Sequence, residues 1–174
     1  MTDHKLRPMT KADLVQVLAW RNHPDVRRYM YTNHEIGLDE HQAWFARVSD
    51  DPAVHLLIYE NCGRASGFVN ITRGRSPTVA DWGFYLSPDS ERGTGRSLGR
   101  EALKYAFSEL CLHKICGQAL GFNERSIAFH KALGFTEEGC LRDQHFDGAE
   151  YHDVVCFGLL DHEWQAQAKE LNDE

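Results

Sequence analysis

The chain has 174 residues, 42% apolar and 26% charged, with a formal net charge of −7; that is enough for one globular domain with a sizeable core, residues 1–174. The acidic balance argues against nucleic acid or an anionic membrane surface as the main partner, but leaves an anionic small ligand open, since a few arginines and backbone amides decide that. The first residues, Met1-Thr-Asp-His-Lys-Leu-Arg-Pro8, hold no apolar stretch of a signal peptide. No run approaches a membrane span, the five cysteines never form Cys-x-x-Cys, and the ten histidines never form His-x-x-x-His. A cytoplasmic protein with free thiols and no metal is the expectation.

Taken in order, Lys5 to Met9 reads as a short strand. Thr10 is placed to cap a helix through Leu14, Val17 and Leu18 toward Arg21, with Asp13 three residues behind the cap. Asn22-His23-Pro24 breaks it, and Asp25 to Tyr31 is a further helical turn. Asp39 to Val48 has helical spacing, with His41, Phe45 and Val48 on one face and Trp44 beside them. Val54 to Glu60 is a strand ending at the turn Asn61-Cys62-Gly63. Ser66 to Arg73 follows, with Phe68, Asn70 and Thr72 on one face and Val69 and Ile71 on the other. Gly74 to Thr78 turns into a third strand of this run, Val79 to Leu86, where Trp82, Phe84 and Leu86 alternate with Gly83 and Tyr85.

Pro88 stops that strand. Gly93 and Gly95 then permit a tight backbone turn, and from Leu98 the apolar spacing becomes helical through Ala102, Leu103, Ala106, Phe107 and Leu110. A glycine turn opening a helix leaves backbone N–H groups aimed at one spot, which suits a phosphate or pyrophosphate. The two familiar nucleotide loops fit poorly, because there is no Gly-Lys-Ser/Thr and Leu98 stands where a dinucleotide fingerprint needs its third glycine. Lys114 to Ala119 is a strand, Asn123 to Leu133 a helix closed by Gly134, and Phe135 to Phe146 a strand irregular at Gly139. Asp147-Gly148 is a hairpin turn, Tyr151 to Leu159 the return strand, and the tail from Asp161 a short polar helix or frayed end. The order implies a mixed sheet made of an antiparallel meander, a right-handed crossover and a closing hairpin.

Arg92-Gly-Thr-Gly95, then Asn123-Glu-Arg-Ser126, then His130-Lys-Ala-Leu-Gly134-Phe135 resembles the GNAT superfamily of N-acetyltransferases, over nearly the whole chain. Ser97 departs from the Gly or Ala usual at its place. The resemblance implies an α+β fold with a mixed, mostly antiparallel seven-stranded sheet, splayed between strands four and five and flanked by about four helices. It implies an enzyme using acetyl-CoA, with no metal. Backbone amides from Arg92, Gly93, Thr94, Gly95, Arg96, Ser97 and Leu98 would hold the pyrophosphate. Backbone groups of Tyr85, Leu86 and Ser87 would pair with the pantetheine arm, and Asn123 and Ser126 would approach the same arm. Asn123 has a second role open to it, as a helix N-cap.

Trp20-Arg-Asn-His-Pro-Asp-Val-Arg27, Tyr29-Met-Tyr31 and Asp39-Glu-His-Gln-Ala-Trp-Phe45 resemble one branch of that superfamily. These enzymes acetylate the 4-amino group of UDP-4-amino-4,6-dideoxy-N-acetyl-β-L-altrosamine in pseudaminic acid synthesis. Trp-Arg-Asn alone is shared with ribosomal-protein N-terminal, spermidine and aminoglycoside acetyltransferases. The branch implies a UDP-amino sugar as acceptor, contacted by His41, Thr72, Arg73 and Tyr85, with Arg21 and Asn22 shaping its cleft. A homodimer is compatible with it. His130 stands where many members carry the tyrosine that protonates the leaving thiolate; it is either that acid or a packed helix residue. Asn70 can orient the amine or a water but cannot take a proton, or it only satisfies a strand kink. Deprotonation then falls to a water relay ending on a carboxylate or on His41. Arg73 has the alternative of a solvated strand end, and His41 that of packing on Phe45. A polyamine or ribosomal-protein acceptor, and a CoA-binding sensor without catalysis, are the competing readings.

Overall fold

The computed structural model describes residues 3–170. They form β1 (His4–Pro8), α1 (Leu14–Asn22), α2 (Pro24–Arg27), α3 (Leu38–Val48), β2 (Val54–Asn61), β3 (Arg64–Arg73), β4 (Val79–Leu86) and α4 (Thr94–Lys104), then β5 (Lys114–Leu120), α5 (Glu124–Ala132), β6 (Thr136–Phe146), β7 (Tyr151–Leu160) and α6 (Asp161–Glu170). The strands make one seven-stranded sheet in the order β1-β2-β3-β4-β5-β7-β6. The β4–β5 pairing is parallel and covers only Val79–Asp81 against Lys114–Cys116. The α+β expectation holds. Among the described residues there are six α-helices rather than about four. The tail is helical over Asp161–Glu170, its last four residues lying outside the described range, and the segment from Pro24 forms a single turn instead of running to Tyr31. A π-helical turn, Tyr105–Glu109, continues α4, which begins at Thr94 rather than Leu98.

The described chain clusters into two compact units, one made of residues 3–72 with Gly83–Ala102, the other of Arg73–Trp82 with residues 103–170. In the first unit, β1, β2 and β3 form an antiparallel meander, with Leu6 opposite Tyr59 and Ile58 opposite Phe68. Met9, Leu14, Val17, Trp20, Phe45, Leu56, Ile58 and Phe68 make its core. The period-2 and helical apolar spacings are what bring these side chains to one side. Arg7 ties β1 to the entry of α1. Its guanidinium donates to both oxygens of Asp13 at 2.8 Å and to Glu60 at 2.6 Å. Asp13 also accepts from the Thr10 backbone N–H and hydroxyl. The Arg7 bond holds the Asp13 carboxyl down at about 2, against an ordinary 3.8.

In the second unit, β5 pairs with β7 and β7 with β6, both antiparallel, in registers that place Ile115 opposite Leu159 and Cys140 opposite Val155. Trp82, Ile115, Phe135, Phe157 and Leu159 are buried there. The irregularity expected at Gly139 is a register shift between Glu137 and Gly139, and a second shift falls between Leu141 and His145. Asp153 supports the second one by accepting the Asp143 amide at 2.9 Å. The Asp147-Gly148 turn is closed by the Asp147 carboxylate, which accepts from the amides of Ala149 and Glu150 and pairs with His152 at 2.6 Å. Asp147, Glu150 and His152 have ligand atoms within 4.8 Å of one another; the turn accounts for their meeting.

Candidate active site

In the first unit, β4 runs into the glycine loop and α4. Gly93 sits at φ +94° with nothing within 4 Å of where a Cβ would lie, so the turn needs glycine for its backbone rather than for space. Arg92 and Arg96 are exposed beside it. This is a fit for an anionic pyrophosphate, with two cations around the amino end of an eleven-residue helix. Within the loop, Thr94 N–H donates to Glu91 O at 3.2 Å, and the Arg96 and Ser97 N–H groups to Gly93 O at 3.1 and 3.4 Å. A bound phosphate would share or replace these turn bonds. The Ser87 N–H donates to Ser66 O at 2.9 Å, so of the Tyr85–Ser87 backbone this amide is already committed to β3.

The expected acceptor residues of this unit divide by what they hold. Asn22 reads the backbone of Ile36 in both directions, donating to its O and accepting from its N at 2.8 Å each, and so pins the segment before α3. Arg21 Nη2 donates to Thr32 O at 2.8 Å, while Nη1 is buried with no hydrogen-bond partner. His41 is 4% exposed. Its ring stacks on Trp44 at 5.2 Å. Burial pushes its pKa down, the Leu14 backbone pulls it up more weakly, and Arg21 pushes it down further. The imidazole is therefore neutral, and its Nε2 is buried with no hydrogen-bond partner. Tyr85 packs against Phe68 at 5.0 Å, and burial raises its hydroxyl pKa well above the ordinary 10 against a weaker pull from Arg21. Asn70 lies over Gly83, where a Cβ would strike its Oδ1, so the bare backbone of β4 makes room for this carboxamide. Thr72 lies opposite Val54, half-buried.

In the second unit, Asn123 caps α5, its Oδ1 accepting from the Ser126 N–H at 3.1 Å. His130 is 1% exposed. Its Nδ1 is 2.8 Å from Ser126 O and so carries the proton, while Nε2 accepts from the Trp82 indole at 3.1 Å. The ring stacks on Phe157 at 4.7 Å and meets Phe135 edge-on. Burial lowers its pKa, with the Ser126 carbonyl opposing. Neutral, and with Nε2 as an acceptor, His130 has the features of the packed-residue alternative. Gly117 permits the pair, since a Cβ there would strike His130 Nε2 and come 2.8 Å from Trp82 Nε1. Arg73 spans the turn after β3, donating to Pro77 O at 3.0 Å and Leu110 O at 3.3 Å. Sequence reasoning missed the Trp82–Gly117–His130 group; the only sign of it is a glycine inside a strand.

Residues 4–136 match the acetyltransferase (GNAT) domain family, and the chain belongs to that family. It is an N-acetyltransferase that takes its acetyl group from acetyl-CoA. Spermidine N(1)-acetyltransferase of Escherichia coli K12 is 25% identical over 95% of this chain and 90% of its own length. The acetyltransferase PseH of Campylobacter jejuni (strain 81-176) is 26% identical over 74% of this chain and 80% of its own. Spermidine N-acetyltransferase from Vibrio cholerae, solved with CoA and spermine, superposes with a TM-score of 0.86 at 24% identity, covering 93% of this chain and 98% of the other, which establishes the fold. Among the described residues no helix is long and apolar enough to cross a membrane.

Proposed function

We propose that the protein is a cytoplasmic enzyme transferring acetyl from acetyl-CoA to the amino group of a UDP-linked amino sugar. The observation that carries the acceptor class is the buried, unpartnered Arg21 Nη1, accompanied by the unpartnered His41 Nε2. A buried guanidinium nitrogen seeks an oxygen acceptor, such as a phosphate or sugar hydroxyl, and repels a polycation. Of the acids in the same region, Glu40 acts electrostatically on Arg21. Glu35 lies 3.7 Å from Arg27 and Glu40 3.2 Å from His34.

The acceptor arrives as an ammonium and must lose a proton before its nitrogen can attack the thioester carbonyl. Neutral His41, with a bare Nε2, takes that proton directly or through one water. Asn70 orients the amine, and a backbone N–H of β4 polarises the carbonyl, a contribution of about 3 kcal/mol. Arg92 to Leu98 hold the pyrophosphate. A water protonates the departing thiolate. A polyamine acceptor is the second reading, favoured by the likeness to spermidine acetyltransferase over nearly the whole chain and by the net charge of −7.

Steady-state turnover with acetyl-CoA and a panel of amines decides between them. A UDP-4-amino sugar is expected to be the best acceptor, and strong turnover of spermidine without turnover of the sugar nucleotide overturns the reading. His41→Gln should cut kcat by roughly 10²-fold, the lower end for a general base. It should also remove an acidic limb lying below pH 6.5, the ordinary histidine value, since burial lowers this pKa. An unchanged pH profile assigns the proton elsewhere.

A further inference from the structure

We propose that Asn22 is a positioning residue for His41, fixing the amino end of α3 by holding both backbone groups of Ile36. This rests on the reading that His41 takes the proton from the acceptor amine. Asn22 is the last residue of α1, and α1 is anchored in the core by Val17 and Trp20, 0% and 5% exposed. Its Nδ2 donates to Ile36 O and its Oδ1 accepts from the Ile36 N–H, both at 2.8 Å. A carboxamide carries a donor and an acceptor side by side, so it can grip one residue of main chain at two points, as a neighbouring strand would. A carboxylate or an ammonium offers only one half of that grip.

The grip falls where α3 has no fastening of its own. A helix usually begins on a residue whose side chain takes one of the free amides of the first turn. Here the N-cap is Gly37, and no side-chain bond caps the helix. From Tyr31 to Glu40 every residue is exposed except Ile36, which is half-buried. Arg21, next to Asn22, donates to Thr32 O at 2.8 Å, so the end of α1 holds this segment at two places. From Ile36 the connection to His41 is short. Gly37 O accepts the His41 N–H at 3.0 Å, the bond that opens the ladder of α3. On its other side the imidazole stacks on Trp44 at 5.2 Å, and Trp44 meets Phe68 of the core edge-on at 6.2 Å. The stack sets the plane of the ring, and the clamp on Ile36 sets where the first turn begins. Together they aim a buried ring nitrogen at one point, which a reacting group requires.

The test reads His41 itself, by NMR of its ring protons, assigned by their absence in His41→Gln. In Asn22→Ala the first turn of α3 loosens and water reaches the ring. The titration should then move up toward the ordinary 6.5, from the lowered value that burial and the Arg21 charge give it. With the better of spermidine and the UDP-4-amino sugar as acceptor, kcat should fall by roughly 10- to 100-fold, the scale for a misplaced catalytic group. KM for acetyl-CoA should be unchanged. Asn22→Asp, which keeps only the accepting half of the clamp, should move both readouts the same way, and it carries the test if the alanine variant does not fold. An asparagine that only stabilises the fold would lower the melting temperature and leave the titration where it is; that result in a folded variant overturns the proposal. His41→Gln separates the two levels. If it removes the acidic limb while the Asn22 variants leave the His41 titration unmoved, the base reading stands and only Asn22's role is lost; if it leaves the pH profile intact, the base reading fails and this role with it.

Discussion

Single side chains here do work that their types alone do not disclose. Asp13 follows a threonine at capping distance, and the cap is visible from that spacing. Its fastening to Arg7 is not, because the partner lies on the strand before it. The bond depresses the Asp13 pKa, so its contribution to stability is complete above the ordinary carboxylate value of 3.8 and is lost as pH falls toward about 2. Asp13→Asn should lower the urea midpoint at pH 7 and flatten its decline between pH 4 and pH 2, as followed by denaturation at each pH. His130 is the opposite case of a group held neutral. Its contribution is complete above the ordinary histidine value of 6.5 and is lost as the medium becomes more acid. His130→Phe should remove that dependence and cost about 1–3 kcal/mol at pH 8, because the Trp82 indole N–H loses its acceptor. If turnover falls much more than CoA affinity in this variant, the histidine is a proton donor after all.

At the scale of elements, most boundaries were legible to within a residue or two. Pro88, Gly134 and Asp147-Gly148 are local punctuation, and local chemistry sets where a strand or helix stops. The start of α4 was misplaced because the residues that begin it, Thr94 to Ser97, carry no apolar period, and a helix over a phosphate loop shows its turn only in the backbone. The bonds that Arg73 and Asn22 make were not legible for another reason. Both bond to main-chain carbonyls brought near by folding, Leu110 O and Ile36 O, and a carbonyl has no letter in the sequence. Gly67 tests the packing of α4 directly. A Cβ there meets the Tyr85 carbonyl at 3.2 Å besides Leu98. Gly67→Val should therefore displace the helix and cost about 1–3 kcal/mol, as overpacking does, with CoA affinity falling alongside. Thermal melts and CoA titration of the same sample read both; an unchanged melt places α4 elsewhere.

For the molecule as a whole, the Gly-x-Gly, Asn-x-x-Ser and Gly-Phe series carried the resemblance to the family and its donor. The clustering of the chain into two units was not legible, since it depends on strands and helices whose two ends belong to different neighbourhoods. All five cysteines are free. Cys62 and Cys111 are exposed and should react first with a thiol reagent under native conditions. Cys140 is also exposed but gives its thiol to Asp153 at 3.7 Å, and burial raises the Cys116 pKa; both should lag. A time course of labelling by mass spectrometry gives this order, and simultaneous labelling of all five would contradict the burial pattern.

The glycine beneath the indole–imidazole pair has a bearing on how this sequence can drift. A side chain at position 117 would land on the ring nitrogens of two large residues from different elements, so no single replacement there is neutral. Relief by shrinking one partner removes the hydrogen bond between the indole and the imidazole. Positions 82, 117 and 130 can therefore change only as a set, and any relative that places another ring at 130 should show a matched substitution at one of the other two.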